Sequence, residues 1–258
     1  MFSKLKTLFW FLGRPILYPQ IWQMIRRRLI LRNDTHKMAE TIDWCKENAV
    51  TELEGASRLL GKPVEELATL RALFPEEMAA AMDRAKQSAV SMGGAGALDF
   101  LYHITKSVQP KGIIETGVAY GWSSLAFLLA SAESEGQLRS VDMPYPNMGN
   151  DKFVGIVVPE EMKHRWKLYR ESDRTGIKKA IADLDQIDIV HYDSDKSYSG
   201  RWWSSPLLWE ALRPGGLFIS DDIQDNSAFK EFAEHLNMKP LVVESQGKWV
   251  GILQKPAQ

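Results

Sequence analysis

Beyond residue 111 the chain alternates short apolar runs with longer stretches of helical spacing. Runs at 112–116, 137–141, 166–170, 187–192 and 217–220 predict strands. Each is short, mostly apolar or aromatic, and bounded by Gly, Pro, Asp or Ser. The stretches at 122–131, 159–165, 175–184, 202–212 and 227–236 predict helices. Runs at 241–244 and 249–253 flank Gln246-Gly247, a turn dipeptide, and predict a hairpin. Alternating strands and helices imply a mostly parallel sheet covered on both faces, with right-handed crossovers; the hairpin adds an antiparallel edge strand. Before residue 111 the spacing is helical over 20–32, 36–60, 75–91 and 97–107. Pro63 and Pro75, each followed closely by acids, suit first helical turns. Met92-Gly93-Gly94-Ala95-Gly96 is a flexible loop.

Composition excludes several classes. With 258 residues, 45% hydrophobic and 25% charged, the chain can bury a large core without staples. Cys45 is the single cysteine, so an intrachain disulfide and thiolate-cluster metal sites are excluded, and a reducing, cytoplasmic setting fits. The net charge of −1 hides an asymmetry: residues 1–32 hold seven Lys and Arg and no acid, leaving −8 on the remainder. The same segment carries Leu8-Phe9-Trp10-Phe11-Leu12, Ile16-Leu17-Tyr18 and Ile21-Trp22. Gly13, Arg14, Pro15 and Pro19 interrupt it, so it is neither a secretory signal nor a span. Two readings stay open for this arm: an anchor at an anionic lipid surface, or an arm whose aromatics pack on the body or on another subunit. Nucleic acid is disfavoured, because the bases are few and the remainder is acidic.

Candidate chemistry gathers at the carboxyl ends of the strands. The first strand runs into Glu115-Thr-Gly117-Val-Ala-Tyr120-Gly121-Trp-Ser123-Ser124. Gly117 permits a tight turn, Gly121 permits close approach, and the following helix offers free backbone N–H groups. Ala119 stands where a dinucleotide-binding motif would need its second glycine. Asp142 ends the second strand, where an acid can accept both hydroxyls of a ribose. Further along, Asp193-Ser-Asp195-Lys196 follows one strand and Asp221-Asp222 the next. Adjacent strands would converge three carboxylates, whose repulsion a hard divalent cation relieves. The alternative is that these acids cap helices and stay solvated. His191 falls on the same strand face as Asp193 and reads as a core histidine. Tyr198 and Arg201 are candidate substrate contacts, and the long loop at 143–160 reads as a lid.

Over residues 90–255 these motifs resemble the class I S-adenosylmethionine-dependent methyltransferases. The D-x-x-K of Asp193–Lys196 and the Asp221-Asp222 pair resemble the metal-dependent O-methyltransferases acting on catechols and caffeoyl-CoA. Asp222 stands where many of those relatives have Asn. The stretch 221–226 also resembles a bacterial branch that includes macrocin-type sugar O-methyltransferases and cephalosporin hydroxylase-like proteins. The resemblance implies an α/β Rossmann-like fold: seven strands, mostly parallel with an antiparallel last strand, helices on both faces, and an N-terminal helical extension. The chain thus divides into a basic aromatic arm at 1–35, a helical region at 36–110 that packs on or caps the core, and a core at 111–258 that the resemblance marks as cofactor-binding. The resemblance implies S-adenosylmethionine at Gly93, Gly94, Glu115, Gly117, Tyr120, Gly121, Ser123, Ser124, Asp142, Ser172, Asp173 and Asp193. Asp193, Asp221 and Asp222 would hold Mg²⁺ or another divalent cation, with Asp193 and Lys196 catalytic. The acceptor is then a hydroxyl of a small molecule or sugar. Alternatives are a metal-independent transferase of the same fold and a non-catalytic cofactor binder at membranes. A homo-oligomer stays open.

Overall fold

The structure, a computed structural model, describes residues 2–18, 20–22, 25, 35–146 and 148–257. Most of the helix expected at 20–32 lies outside the described residues. The strands are β1 (Ala49–Thr51), β2 (Gly112–Thr116), β3 (Gln137–Val141), β4 (Trp166–Tyr169), β5 (Ile189–Tyr192), β6 (Leu217–Ser220), β7 (Leu241–Ser245) and β8 (Lys248–Gln254). They form one sheet in the order β1-β7-β8-β6-β5-β2-β3-β4. Only β8 runs antiparallel, to β6 and to β7. The expected sheet is thus present, with one strand more than the seven expected; the reversed β8 is not an edge strand but lies between β6 and β7, because β7 turns back beyond it and β1 takes the edge.

The extra strand corrects the helix expected over 36–60. Met38–Asn48 and Glu52–Leu60 are separate helices, with β1 between them pairing parallel to β7. The cause is local. Val50 and Thr51 are β-branched, which disfavours helix. Thr51 then starts a new helix with a capping box, its side chain accepting from the Glu54 N–H while Glu54 Oε2 accepts from the Thr51 N–H at 2.9 Å.

Alternation along the strands sorts side chains to two faces. Ile113, Ile189, Leu217, Ile219 and Val243 join one apolar cluster with helices Leu98–Val108 and Trp122–Ala130. Ile114, Val190, Phe218 and Val242 join the other, with helices Asp173–Ala182, Tyr198–Ala211 and Ala228–His235. The strands between those helices are fully buried on both faces, which explains why they read as unbroken apolar runs.

Register then sets the site. Thr116 pairs with Val141 on one side and Tyr192 on the other; Tyr192 pairs with Ser220, and Val141 with Tyr169. The first residues beyond these strands therefore stand side by side: Asp221, Asp193, Gly117, Asp142 and Arg170. The chain winds one way from β2 to β4 and the other way through β5 and β6. The β2/β5 junction is thus the switch point where α/β sheets bind ligands.

Candidate active site

A cavity of about 850 Å³ opens over this row. Gly117, Val118, Ala119, Asp142, Asp173, Asp193 and Lys196 line it, with Gly93, Met143, Tyr145 and Asn150. Gly117 lies at φ +77°, and a Cβ there would stand 2.3 Å from the Asp193 carbonyl oxygen, so only glycine lets β2 and β5 end this close. Gly121 (φ +91°) caps the Trp122–Ala130 helix, and a Cβ on it would meet Gly155 Cα at 3.0 Å. Ala119 adopts φ +47°, a left-handed conformation that costs a non-glycine residue about 1 kcal/mol.

Several expected residues support the cavity from behind. Glu115 is completely buried and accepts hydrogen bonds from Ser123 Oγ (2.5 Å), Ser124 Oγ (2.5 Å) and Ser140 Oγ (2.6 Å). Burial pushes its pKa up while the three hydroxyls oppose that rise. This cluster ties β2, β3 and the first turn of the following helix together. Tyr120 Oη donates to the Val90 carbonyl (3.0 Å) and accepts from the Met92 N–H (3.3 Å), so it anchors the loop that carries Gly93 to the cavity. Gly94 does not line the cavity. Ser172 is buried at the start of the Asp173–Ala182 helix and does not line it either.

Two acids face the cavity on the cofactor side. Asp142 Oδ2 accepts from the N–H groups of Val118 (2.8 Å) and Ala119 (3.2 Å), which fixes the glycine turn. Its Oδ1 pairs with Arg170, which also bonds Asp151 Oδ1 at 2.7 Å. Asp173 accepts from Ser194 Oγ at 2.6 Å and from the Tyr192 hydroxyl at 3.4 Å. Burial, with the charge of Asp195, pushes its pKa up to about 6.

The second group lies at the ends of β5 and β6. One carboxylate oxygen from each of Asp193, Asp221 and Asp222 lies within 4.8 Å of the others. Lys196 Nζ is 2.9 Å from Asp193 Oδ1 and pairs also with Asp222. Lys248, from β8, reaches Asp222 Oδ1 at 3.0 Å. Burial and the charge of Asp221 push the Asp193 pKa up to about 7. Arg201 is not a cavity contact: it is buried and donates to Ser220 Oγ (2.7 Å) and to the carbonyls of Asp221 and Asp222 (2.9 Å each). It therefore sets the backbone that presents both acids. Tyr198 donates to Glu231 (2.6 Å). His191 is buried against the Phe127 ring at 5.5 Å, and burial pushes its pKa down to about 4, so it is a neutral core residue. In the loop at 143–160, Met143, Tyr145, Met148 and Asn150 reach the cavity, while the N–H groups of Gly155 and Val157 bond the carbonyls of Ala119 and Tyr120 and brace the glycine turn.

Sequence reasoning missed Arg170 and Lys248. Arg170 was findable, since it directly follows the strand beside β3 and so neighbours Asp142. Lys248 arrives from the reversed strand, and nothing in its local sequence marks it.

Residues 114–223 match a family model described as a methyltransferase domain. No curated protein matches the sequence. Among solved structures, a candidate O-methyltransferase from Klebsiella pneumoniae superposes with a TM-score of 0.54 at 14% identity, covering 70% of this chain and 90% of that one. A candidate caffeoyl-CoA O-methyltransferase from Staphylococcus aureus gives 0.53 at 12%, covering 72% and 95%. A methyltransferase from Podospora anserina bound to S-adenosylhomocysteine gives 0.50 at 14%, covering 69% and 87%. The fold is that of the class I methyltransferases. Residues 114–223 thus match a methyltransferase domain, on a fold that the chain shares with these structures.

Proposed function

We propose that the protein transfers a methyl group from S-adenosylmethionine to a hydroxyl of a small molecule, with a divalent cation held by Asp193, Asp221 and Asp222. The observation that carries this reading is the position of Asp193. It lines the same cavity as the glycine turn and Asp142, and it also belongs to the three-carboxylate cluster. A cofactor seated at the switch point and an acceptor seated at the cluster would share that residue. Two of the matched structures are candidate O-methyltransferases, which supports the choice of oxygen as acceptor.

The cluster suits a hard cation, since it offers only oxygen donors close together. When bound, such a cation lowers the pKa of a coordinated hydroxyl and orients it. The chain's own residues do the rest. Gly117, Val118 and Ala119 offer backbone to the cofactor, and Asp142 and Asp173 accept from its hydroxyl and amino donors. Alignment of the acceptor oxygen with the methyl carbon and sulfur can supply up to roughly 7–11 kcal/mol. The acceptor proton passes to the Asp193 carboxylate, beside which Lys196 is paired as an ammonium; the oxygen–carbon bond forms, and the carbon–sulfur bond breaks to leave S-adenosylhomocysteine.

A second reading keeps the transfer and drops the cation. Lys196 already pairs with both Asp193 and Asp222, so an ammonium balances part of the cluster's charge. Calorimetric titration of S-adenosylhomocysteine, with Mg²⁺ and with EDTA, separates the two. The first reading expects a Mg²⁺ signal that Asp221→Ala/Asp222→Ala abolishes; cofactor binding indifferent to EDTA, with turnover equally indifferent, favours the second. Absence of cofactor binding in folded protein overturns both.

A further inference from the structure

Among the described residues, large apolar side chains that stand exposed are concentrated near the N-terminus. Phe9, Leu12, Ile16, Tyr18, Trp22 and Ile25 are six of the ten such side chains among the described residues. Phe9 is 67% and Trp22 66% exposed, values that an ordinary surface of this composition does not gather in one place. Phe11 and Leu17 from the same segment are buried. The Arg14 guanidinium lies 4.1 Å from the centre of the Trp10 ring.

Charge selects the occupant. Residues 1–32 carry seven bases and no acid. A symmetric contact with a second copy would set two such segments against each other and repel. Exposed aromatic and aliphatic groups interleaved with bases alone match an anionic bilayer, where aromatics settle at headgroup level and Lys and Arg meet lipid phosphates. We infer that Phe9, Leu12, Ile16, Tyr18, Trp22 and Ile25 form a docking surface for an anionic lipid bilayer, with the bases of residues 1–32 supplying the charge. Gln20 of this segment lines the mouth of the active-site cavity. Docking would thus turn the mouth toward the membrane, so the acceptor would be amphiphilic; that last step rests on the methyl-transfer reading, whereas the docking does not.

The test is co-sedimentation of the full chain with vesicles of phosphatidylcholine alone and of phosphatidylcholine and phosphatidylglycerol in equal parts. Binding should favour the anionic vesicles and weaken with added salt. Phe9→Ser/Trp22→Ser should lower the affinity by about tenfold or more. Arg26→Gln/Arg27→Gln/Arg28→Gln should erase the preference for anionic lipid. A melting curve on each variant shows that the fold persists, since Phe9 and Trp22 are exposed. Equal sedimentation on both vesicle types, or an unaffected Phe9→Ser/Trp22→Ser variant, overturns the inference. So does self-association that this variant loses without any vesicle binding. Binding of S-adenosylhomocysteine, titrated on the same samples, reports the cofactor site separately, so failure of either proposal is recognisable on its own.

Discussion

Asp173 offers a test of the cavity that needs no acceptor. It is a partly buried carboxylate facing the ligand space, with two hydroxyls and the Asp195 backbone N–H as partners. Its pKa rises from 3.8 to about 6, chiefly through burial. A raised pKa means that the folded state binds the proton more tightly than the unfolded chain. The associated stability is fully present below about pH 4 and is lost as pH rises through about 6. The size of the loss is about 3 kcal/mol. Asp173→Asn removes the titration while keeping the shape. Ser194 can turn its hydroxyl to accept from the new amide, so the residual cost of the change should be about 1 kcal/mol. The variant should therefore be slightly less stable than the parent near pH 4 and more stable above pH 7. For a chain of this size each kcal/mol moves Tm by about 2–4 °C, so the gap between the two proteins should swing by about 6–12 °C across that range. Melting curves of both proteins over the pH series read this directly. A gap that stays constant with pH refutes the reasoning, because it would mean that Asp173 is ionised throughout in the folded state. The same residue should couple cofactor to protons. If cofactor donors meet the carboxylate, affinity for S-adenosylhomocysteine falls as pH drops below about 6 in the parent, and the fall disappears in Asp173→Asn.

Two further outcomes are expected. Ser124→Ala removes one of three hydroxyls from the buried Glu115 carboxylate and should cost about 1–3 kcal/mol, read as a lower denaturant midpoint; an unchanged midpoint would mean that the serines are incidental. Arg201→Met frees the carbonyls of Asp221 and Asp222 and should weaken Mg²⁺ binding by about 10–100-fold in calorimetry with the melting temperature as control; unchanged Mg²⁺ affinity in a folded variant would show that Arg201 does not position the cluster.

Much of this architecture was legible because the informative signals are local. Strands such as Leu217–Ser220 are buried on both faces and read as unbroken apolar runs, and Gly117 and Gly121 mark a turn that no other residue type fits at their φ values. The convergence of Asp193 with Asp221 and Asp222 was legible from adjacency of parallel strands alone. β1 was not legible. Three residues between two helices carry no periodicity, and what makes Ala49–Thr51 a strand is the open edge of β7. The role of Glu115 was hidden for a similar reason. A glutamate before a glycine turn invites a ligand-binding reading, but Ser140 reaches it only through the register of β2 with β3. Arg201 looked like a surface contact because arginines usually are, and its burial follows from the three acceptors that happen to face it.

The departure at residue 222 acquires a physical meaning in three dimensions. With Asn at this place and no Lys248 the cluster would present two acids, one neutral amide and one lysine. Here Asp222 adds a negative charge, and Lys248 answers it at 3.0 Å from the opposite side of the sheet edge. Three acids with two lysines carry the same net charge as two acids with one. Asp222 is almost wholly buried, and an unbalanced carboxylate there would have to take up a proton or drive Asp193, already pushed up to about 7, further toward protonation. A protonated Asp193 could neither ligate a cation well nor accept the proton of the substrate hydroxyl. Lys248 therefore does for the cluster's charge what a neutral amide would do by carrying none. It comes from β8, the reversed strand between β7 and β6, so the antiparallel part of the sheet contributes to the proposed chemistry.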